Sequence, residues 1–315
     1  MPHHYAPIPP ANNATAPAVA HATAHETTAG TAPGRMTDNA SAPMSGTASG
    51  TMSGTGSGTA PGCGTVWFIG AGPGDPELLT MKAHRLIAEA GLVLYAGSLV
   101  PPQVVAHANP AAHVVDSAPL TLEQTHALMR DAARNGHTVA RVHTGDPALY
   151  GTIREQIRLL DADRIPWQVV PGVTSACAAA ASEGISFTVP EVTQSLIITR
   201  LEGRTPVPEA EKLRALAAHG CSMAIYLSAG APERLREELL AAGLPGNTTV
   251  LAAHRVGWPD GRNVWTTVDA LPETIAASGF TRQVMFLVLP GQHAPHTLSR
   301  LYAADFTHGW RNSEG

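Results

Sequence analysis

This 315-residue chain lacks several things whose absence narrows what it can be. Its three cysteines, Cys63, Cys177 and Cys221, are widely spaced and form no C-x-x-C pair. That excludes a disulfide framework and a cysteine-based zinc site, so a reduced, metal-free, cytoplasmic protein is expected. No apolar run reaches the ~18 residues needed to cross a membrane. A formal net charge of −5 supplies no basic surplus with which to hold nucleic acid. Ser-His-Asp ordering, metal-ligand spacing and paired carboxylates are also missing, which disfavours triad hydrolysis, metal-assisted chemistry and two-carboxylate acid–base catalysis.

Apolar bulk is missing from the first 62 residues as well. They contain no Leu, Phe or Trp, and only Glu26, Arg35 and Asp38 are charged. Such a segment buries too little apolar surface to offset its ordering entropy, so residues 1–62 are predicted to be a disordered tail. It has neither the basic start and apolar core of a secretory signal nor the arginines of a mitochondrial presequence. Its histidines, His3, His4, His21 and His25, read as solvated.

What is present begins at residue 65, where short apolar runs alternate with helix-period segments, the pattern of an α/β fold. Strands are predicted at 65–69, 92–95, 113–115, 138–143 and 167–170, then near 195–200, 222–227, 248–254, 263–267 and 283–289. Between the early strands, Leu79, Ala83, Leu86 and Ala90 keep a helical spacing, as do Leu122, Thr125, Met129 and Ala133 after the cap-like Thr121. An alanine-rich helix is expected from about 174 to 183, with later helices near 208–218, 231–242 and 269–278. Asp260-Gly261 marks a hairpin turn and thus an antiparallel part of the second sheet. The resulting division is 63–173 and 174–291 for two α/β domains, each a roughly five-stranded mixed sheet flanked by helices, and 292–315 for a C-terminal tail.

Three loops that follow apolar strands are rich in glycine and proline. They are Gly70-Ala71-Gly72-Pro73-Gly74-Asp75, Thr144-Gly145-Asp146-Pro147-Ala148-Leu149-Tyr150-Gly151 and Pro171-Gly172-Val173-Thr174-Ser175-Ala176. In an open α/β sheet the carboxyl ends of neighbouring strands converge on one crevice, so all three can line one site. The first is a poor dinucleotide loop. Asp75 stands where the third glycine belongs, Pro73 removes a backbone donor, and the second strand ends in Tyr95-Ala96-Gly97 without a ribose-binding acid. Asp75 followed by Pro76 reads instead as a helix cap and first helical position.

In their order and spacing, these loops resemble those of the tetrapyrrole (corrin/porphyrin) methyltransferases over roughly residues 64–291. More narrowly, Tyr95-Ala96-Gly97-Ser98-Leu99, Gly203-Arg204-Thr205-Pro206-Val207-Pro208 and Trp258-Pro259-Asp260 resemble the branch that methylates C-11 of precorrin-4 in cobalamin synthesis. The resemblance implies a two-domain α/β fold, a homodimer, S-adenosylmethionine bound between the domains, and a tetrapyrrole substrate. It places Pro73, Gly145, Asp146, Leu149, Thr174, Ser175 and Ala176 around the methyl donor, with Leu227 and Ala253 from the second domain. Methyl transfer to an electron-rich ring carbon needs alignment and a dry cleft more than a strong base, in keeping with the missing catalytic patterns.

No catalytic residue stands out from this reading. Asp146, Tyr150 and His143 are the positioning candidates, although Asp146 also suits a turn before proline and His143 a packed strand end. Carboxylates on the macrocycle call for arginines, and Arg200, Arg204, Arg255 and Arg262 are the ones expected on loops. Arg154 and Arg158 fit the solvent face of a helix, Tyr226 a site edge or the core, and Cys177 a small buried hydrophobe. Three other readings stay open: a sibling methyltransferase acting at another carbon, a nucleotide-binding oxidoreductase with an irregular turn, and a non-catalytic tetrapyrrole carrier.

Overall fold

The computed structural model describes residues 62–293 together with 299, 303, 305–307 and 309. Residues 1–61 of the tail expected over 1–62 and most of the one expected after 291 lie outside the described residues.

The first half contains β1 (Val66–Gly70), α1 (Met81–Glu89), β2 (Leu92–Tyr95), α2 (Pro102–Val105), β3 (His113–Asp116), α3 (Leu122–Arg134), β4 (Val139–His143), α4 (Ile153–Ala162) and β5 (Trp167–Val170). Its strands lie in the order β3-β2-β4-β1-β5 and are parallel throughout, as helical crossovers require. Ile69, Val93, Ala140 and Val142 pack with α1 on one face, while Phe68, Leu94 and Val139 pack with α3 and α4 on the other. The Thr121 hydroxyl accepts the Gln124 N–H while the Gln124 side chain accepts the Thr121 N–H, a capping box that starts α3.

The second half contains α5 (Ser175–Ser182), β6 (Leu196–Arg200), α6 (Leu213–Ala217), β7 (Ser222–Tyr226), α7 (Pro232–Ala241), β8 (Thr249–His254), β9 (Arg262–Thr267), α8 (Leu271–Ser278) and β10 (Val284–Leu289). Here the order is β6-β7-β10-β8-β9, with only the β6–β7 pair parallel. Mixed character thus sits entirely in this sheet. Phe286 and Leu235 anchor its α6–α8 face, and α5 covers the other face by laying Ala176, Ala179 and Ala180 on Ala224, Leu251 and Leu287.

Three local expectations change. Asp75 caps as predicted, its carboxylate accepting the Glu77 N–H at 2.9 Å, but only a 3-10 turn (Pro76–Leu78) follows. Leu79 is extended (ψ 138°), and a second cap at Thr80 starts α1. The helix expected over 208–218 is interrupted at Lys212, whose ψ of 145° cannot continue a helical turn. Cys177 is exposed rather than buried, because the core face of α5 is taken by Ala176, Ala179 and Ala180, and residue 177 points away from it.

Candidate functional site

Glycine backbones join the three loops. Gly72 and Gly145 exchange backbone hydrogen bonds, at 3.2 and 2.8 Å, in an isolated antiparallel bridge. A Cβ on Gly70 would lie 2.5 Å from the Gly172 nitrogen and 2.7 Å from the Gly145 oxygen. Only glycine allows main chains this close. Asp146 completes the seam: one carboxylate oxygen accepts the Ala148 N–H at 2.8 Å and the other the Gly172 N–H at 3.1 Å. It therefore makes the predicted aspartate turn and also ties the second loop to the third.

The seam forms one wall of a cavity of about 210 Å³. Pro73, Gly145, Asp146, Leu149, Tyr150, Thr174 and Ser175 line it from the first half and the head of α5. Leu227, Ala253, Arg255, Gln283 and Met285 line it from the second sheet. Thr174 occupies the N-cap position of α5 without capping through its side chain; its hydroxyl bonds the Tyr226 hydroxyl instead. That hydroxyl also accepts the otherwise unpaired Ala176 N–H at 3.4 Å, so a side chain from β7 takes over the capping task. Ala176 itself is fully buried behind the wall. The Tyr226 ring packs against Tyr150 at 5.4 Å, and burial pushes the Tyr150 phenol above its ordinary pKa.

Backbone strain gathers at the same place. Seven described non-glycine residues have positive φ, and Tyr150, Leu227, Arg255 and Gln283 among them line the cavity. Left-handed backbone costs such residues about 1–3 kcal/mol each, and it persists where the surrounding structure holds it for function. Gln283 also crosses between the halves, its amide donating to the Ser98 carbonyl at 2.9 Å.

His143 is not on the cavity. Its ring faces the α3/α4 side, 5.8 Å from Phe68, and Nε2 is buried without a partner among the described residues. Burial, then the neighbouring Arg141 charge, lowers its pKa to about 3, so it is neutral at pH 7. Arg141 is buried too. Its guanidinium donates to Gln156 at 3.0 Å, Ser117 at 2.8 Å and the Leu94 carbonyl at 3.3 Å, and burial brings its pKa down to about 10.

The four predicted arginines separate. Arg255 lines the cavity. Arg200 spends its guanidinium on the carbonyls of Leu201, Thr205 and Pro206, and so shapes the 201–208 loop. Arg204 is exposed and outside the lining, and Arg262 lies over Phe280, 5.1 Å from the ring centroid. Arg154 and Arg158 are on the exposed side of α4. Trp258, Val256, Gln283, Val284 and Met285 line the cavity without having been singled out for it. Trp258 alone had a signal, its place in the Trp-Pro-Asp run.

Two sheets, a glycine seam and a cavity walled largely by backbone and apolar side chains define a small-molecule cleft suited to orienting a ligand and excluding water. Among the described residues no group of three or more His, Cys, Asp or Glu is placed to hold a metal ion. The chain belongs to the tetrapyrrole (corrin/porphyrin) methylases, whose family model matches residues 65–272. It is 44% identical to the cobalt-precorrin-4 C(11)-methyltransferase of Priestia megaterium over 250 residues, 78% of this chain and 97% of that protein. It is 45% identical to the precorrin-4 C(11)-methyltransferase of Pseudomonas aeruginosa over 251 residues, 79% of this chain and all of that one. Among solved structures, a cobalt precorrin-4 methyltransferase of cobalamin biosynthesis superposes with a TM-score of 0.70 at 44% identity, covering 71% of this chain and 94% of that one. A uroporphyrin-III C-methyl transferase from Thermus thermophilus, solved with S-adenosylhomocysteine, gives 0.60 at 28% identity, covering 72% and 97%.

Proposed function

We propose that this chain is an S-adenosylmethionine-dependent C-methyltransferase that acts on C-11 of precorrin-4 or its cobalt form in cobalamin biosynthesis. The observation that carries this reading is identity of 44–45% to proteins of that activity over essentially their whole length. The cavity supports it: eight of the nine residues expected around the methyl donor line one wall-to-wall cleft, and the ninth, Ala176, lies directly behind it. The division of the folded chain at 173/174 belongs to the same reading, with α5 counted in the second half because its buried alanines pack there.

The residues present suit the methyl donor. Gly145 and its neighbours offer backbone groups at close range, Thr174 and Ser175 stand at the head of α5, and Leu149, Leu227 and Ala253 give apolar surface. When bound, S-adenosylmethionine supplies an electrophilic sulfonium methyl. The protein's part is to orient the reactants and exclude water, which suffices where the acceptor carbon is already nucleophilic. Asp146 does this by fixing two loops. Tyr226 does it by holding Thr174 and the head of α5. Neutral, off-site His143 leaves acid–base work without a histidine at the cavity.

Purified protein incubated anaerobically with labelled S-adenosylmethionine and precorrin-4 should give a singly methylated product, with the new methyl at C-11 by NMR. Absence of transfer, or methylation elsewhere on the ring, would overturn this assignment.

A further inference from the structure

Arg141 is a cation held inside the fold with no carboxylate bonded to it. Side chains alternate along β4, so Arg141 falls on the same face as Val139, toward α3 and α4, in an interior otherwise built from Phe68, Leu94, Met129 and Leu160. Its partners among the described residues are Gln156, Ser117 and the Leu94 carbonyl, all neutral. A buried cation without a paired anion costs stability, and an apolar side chain would fill this place at lower cost. What the guanidinium supplies instead is a planar fork of donors that reaches neighbours in two directions at fixed geometry.

Each direction ends at a stretch of backbone that borders the cavity. On one side Arg141 Nε donates to Gln156 Oε1 at 3.0 Å, which turns the other end of that amide onto the Thr152 carbonyl at 3.3 Å. Thr152 precedes α4 in left-handed backbone (φ +49°) without capping through its side chain. Two residues earlier Tyr150, also left-handed (φ +56°), lines the cavity beside Leu149. Gly151 between them leaves no slack, since a Cβ there would lie 2.3 Å from the Pro147 carbonyl oxygen, so the orientation of Thr152 sets that of Tyr150. On the other side Nη1 donates to the Ser117 hydroxyl and the Leu94 carbonyl. The Ser117 hydroxyl and backbone N–H both donate to the Tyr95 carbonyl, at 3.0 and 2.8 Å. That fixes the end of β2, from which the 96–99 turn carries Leu99 into the cavity wall and Ser98 to Gln283.

We propose that Arg141, although it does not line the cavity, is a positioning residue for it: through Gln156 it sets the Leu149–Tyr150 part of the wall, and through Ser117 and Leu94 it sets the turn that carries Leu99. This rests on reading the cavity as the methyl donor's site.

The test uses the full chain and reads S-adenosylhomocysteine affinity by calorimetry together with local amide exchange. Arg141→Lys keeps the charge and gives up the fork, so it should bind about fivefold weaker and exchange faster over both 96–99 and 148–152. Gln156→Glu, ionised beside Arg141, still accepts from Nε but has no N–H for the Thr152 carbonyl. Its unfolding midpoint should stay close to that of wild type, while S-adenosylhomocysteine binds about fivefold weaker and faster exchange is confined to 148–152. Affinity within about twofold of wild type in either variant, or a loss of affinity that merely tracks a lowered midpoint in both, would overturn the proposal. Should wild type bind no S-adenosylhomocysteine, the reading of the cavity fails by itself and exchange decides: faster exchange of both loops in Arg141→Lys upholds their positioning by Arg141, and unchanged exchange ends it.

Discussion

At the scale of single residues, the polar groups nearest the cavity hold other groups in place. The Tyr226 hydroxyl connects β7 to the head of α5, and each hydrogen bond it makes is worth about 1 kcal/mol net. Tyr226→Phe should therefore weaken S-adenosylhomocysteine binding about fivefold by calorimetry, with the global unfolding midpoint moving much less. His143 has a different consequence, in stability. Its folded pKa, about 3, lies far below the unfolded value near 6.5, so the unfolded chain takes up the proton first. Stability is fully present above about pH 6.5 and falls as pH drops towards 3, by at most about 1.4 kcal/mol per unit from this group. His143→Leu should flatten that slope in urea titrations at pH 7 and pH 5. It should leave the pH dependence of methyl transfer unchanged, whereas altered dependence would put His143 back into the chemistry.

At the scale of elements, β-strands and loops were legible because their signals are local. Alternation, apolar runs and the Thr121 cap placed all ten strands and α3 within a residue or two, since period and capping act over a few neighbours. Breaks at Leu79 and Lys212 were not legible, as each turns on a single ψ that tertiary packing decides. Left-handed Gln283 carries no residue-type signal at all and was hidden, whereas Leu227 was placed at the cavity by the family resemblance and not by its residue type. The glycine loops were readable as a group, and the structure explains why. Gly172 has no room for a methyl group, which would run into the Gly145 carbonyl and the Gly70 main chain. Gly172→Ala should thus separate the loops, costing about 1–3 kcal/mol or more in chemical denaturation and lowering S-adenosylhomocysteine affinity in the same protein.

At the scale of the molecule, the cleft is built from both sheets, so ligand binding and global stability are linked. The first half supplies the glycine seam, the second Leu227, Ala253 and Arg255, and Gln283 hydrogen-bonds across to Ser98. A ligand in this cleft binds the folded chain and finds no such site in the unfolded one, so at a hundred times its Kd it should add about 2.7 kcal/mol. For a folded region of this size that corresponds to a rise in Tm of roughly 5–10 °C, given that 1 kcal/mol moves Tm by about 2–4 °C. The family model begins at 65, and β1, the first strand of the sheet, begins at Val66. A chain starting at residue 63 should show the same S-adenosylhomocysteine-dependent rise in Tm and the same methyl transfer as the full chain. A smaller shift in the shortened protein would mean that the low-complexity segment contributes to the cleft, and that the functional unit is larger than the two sheets.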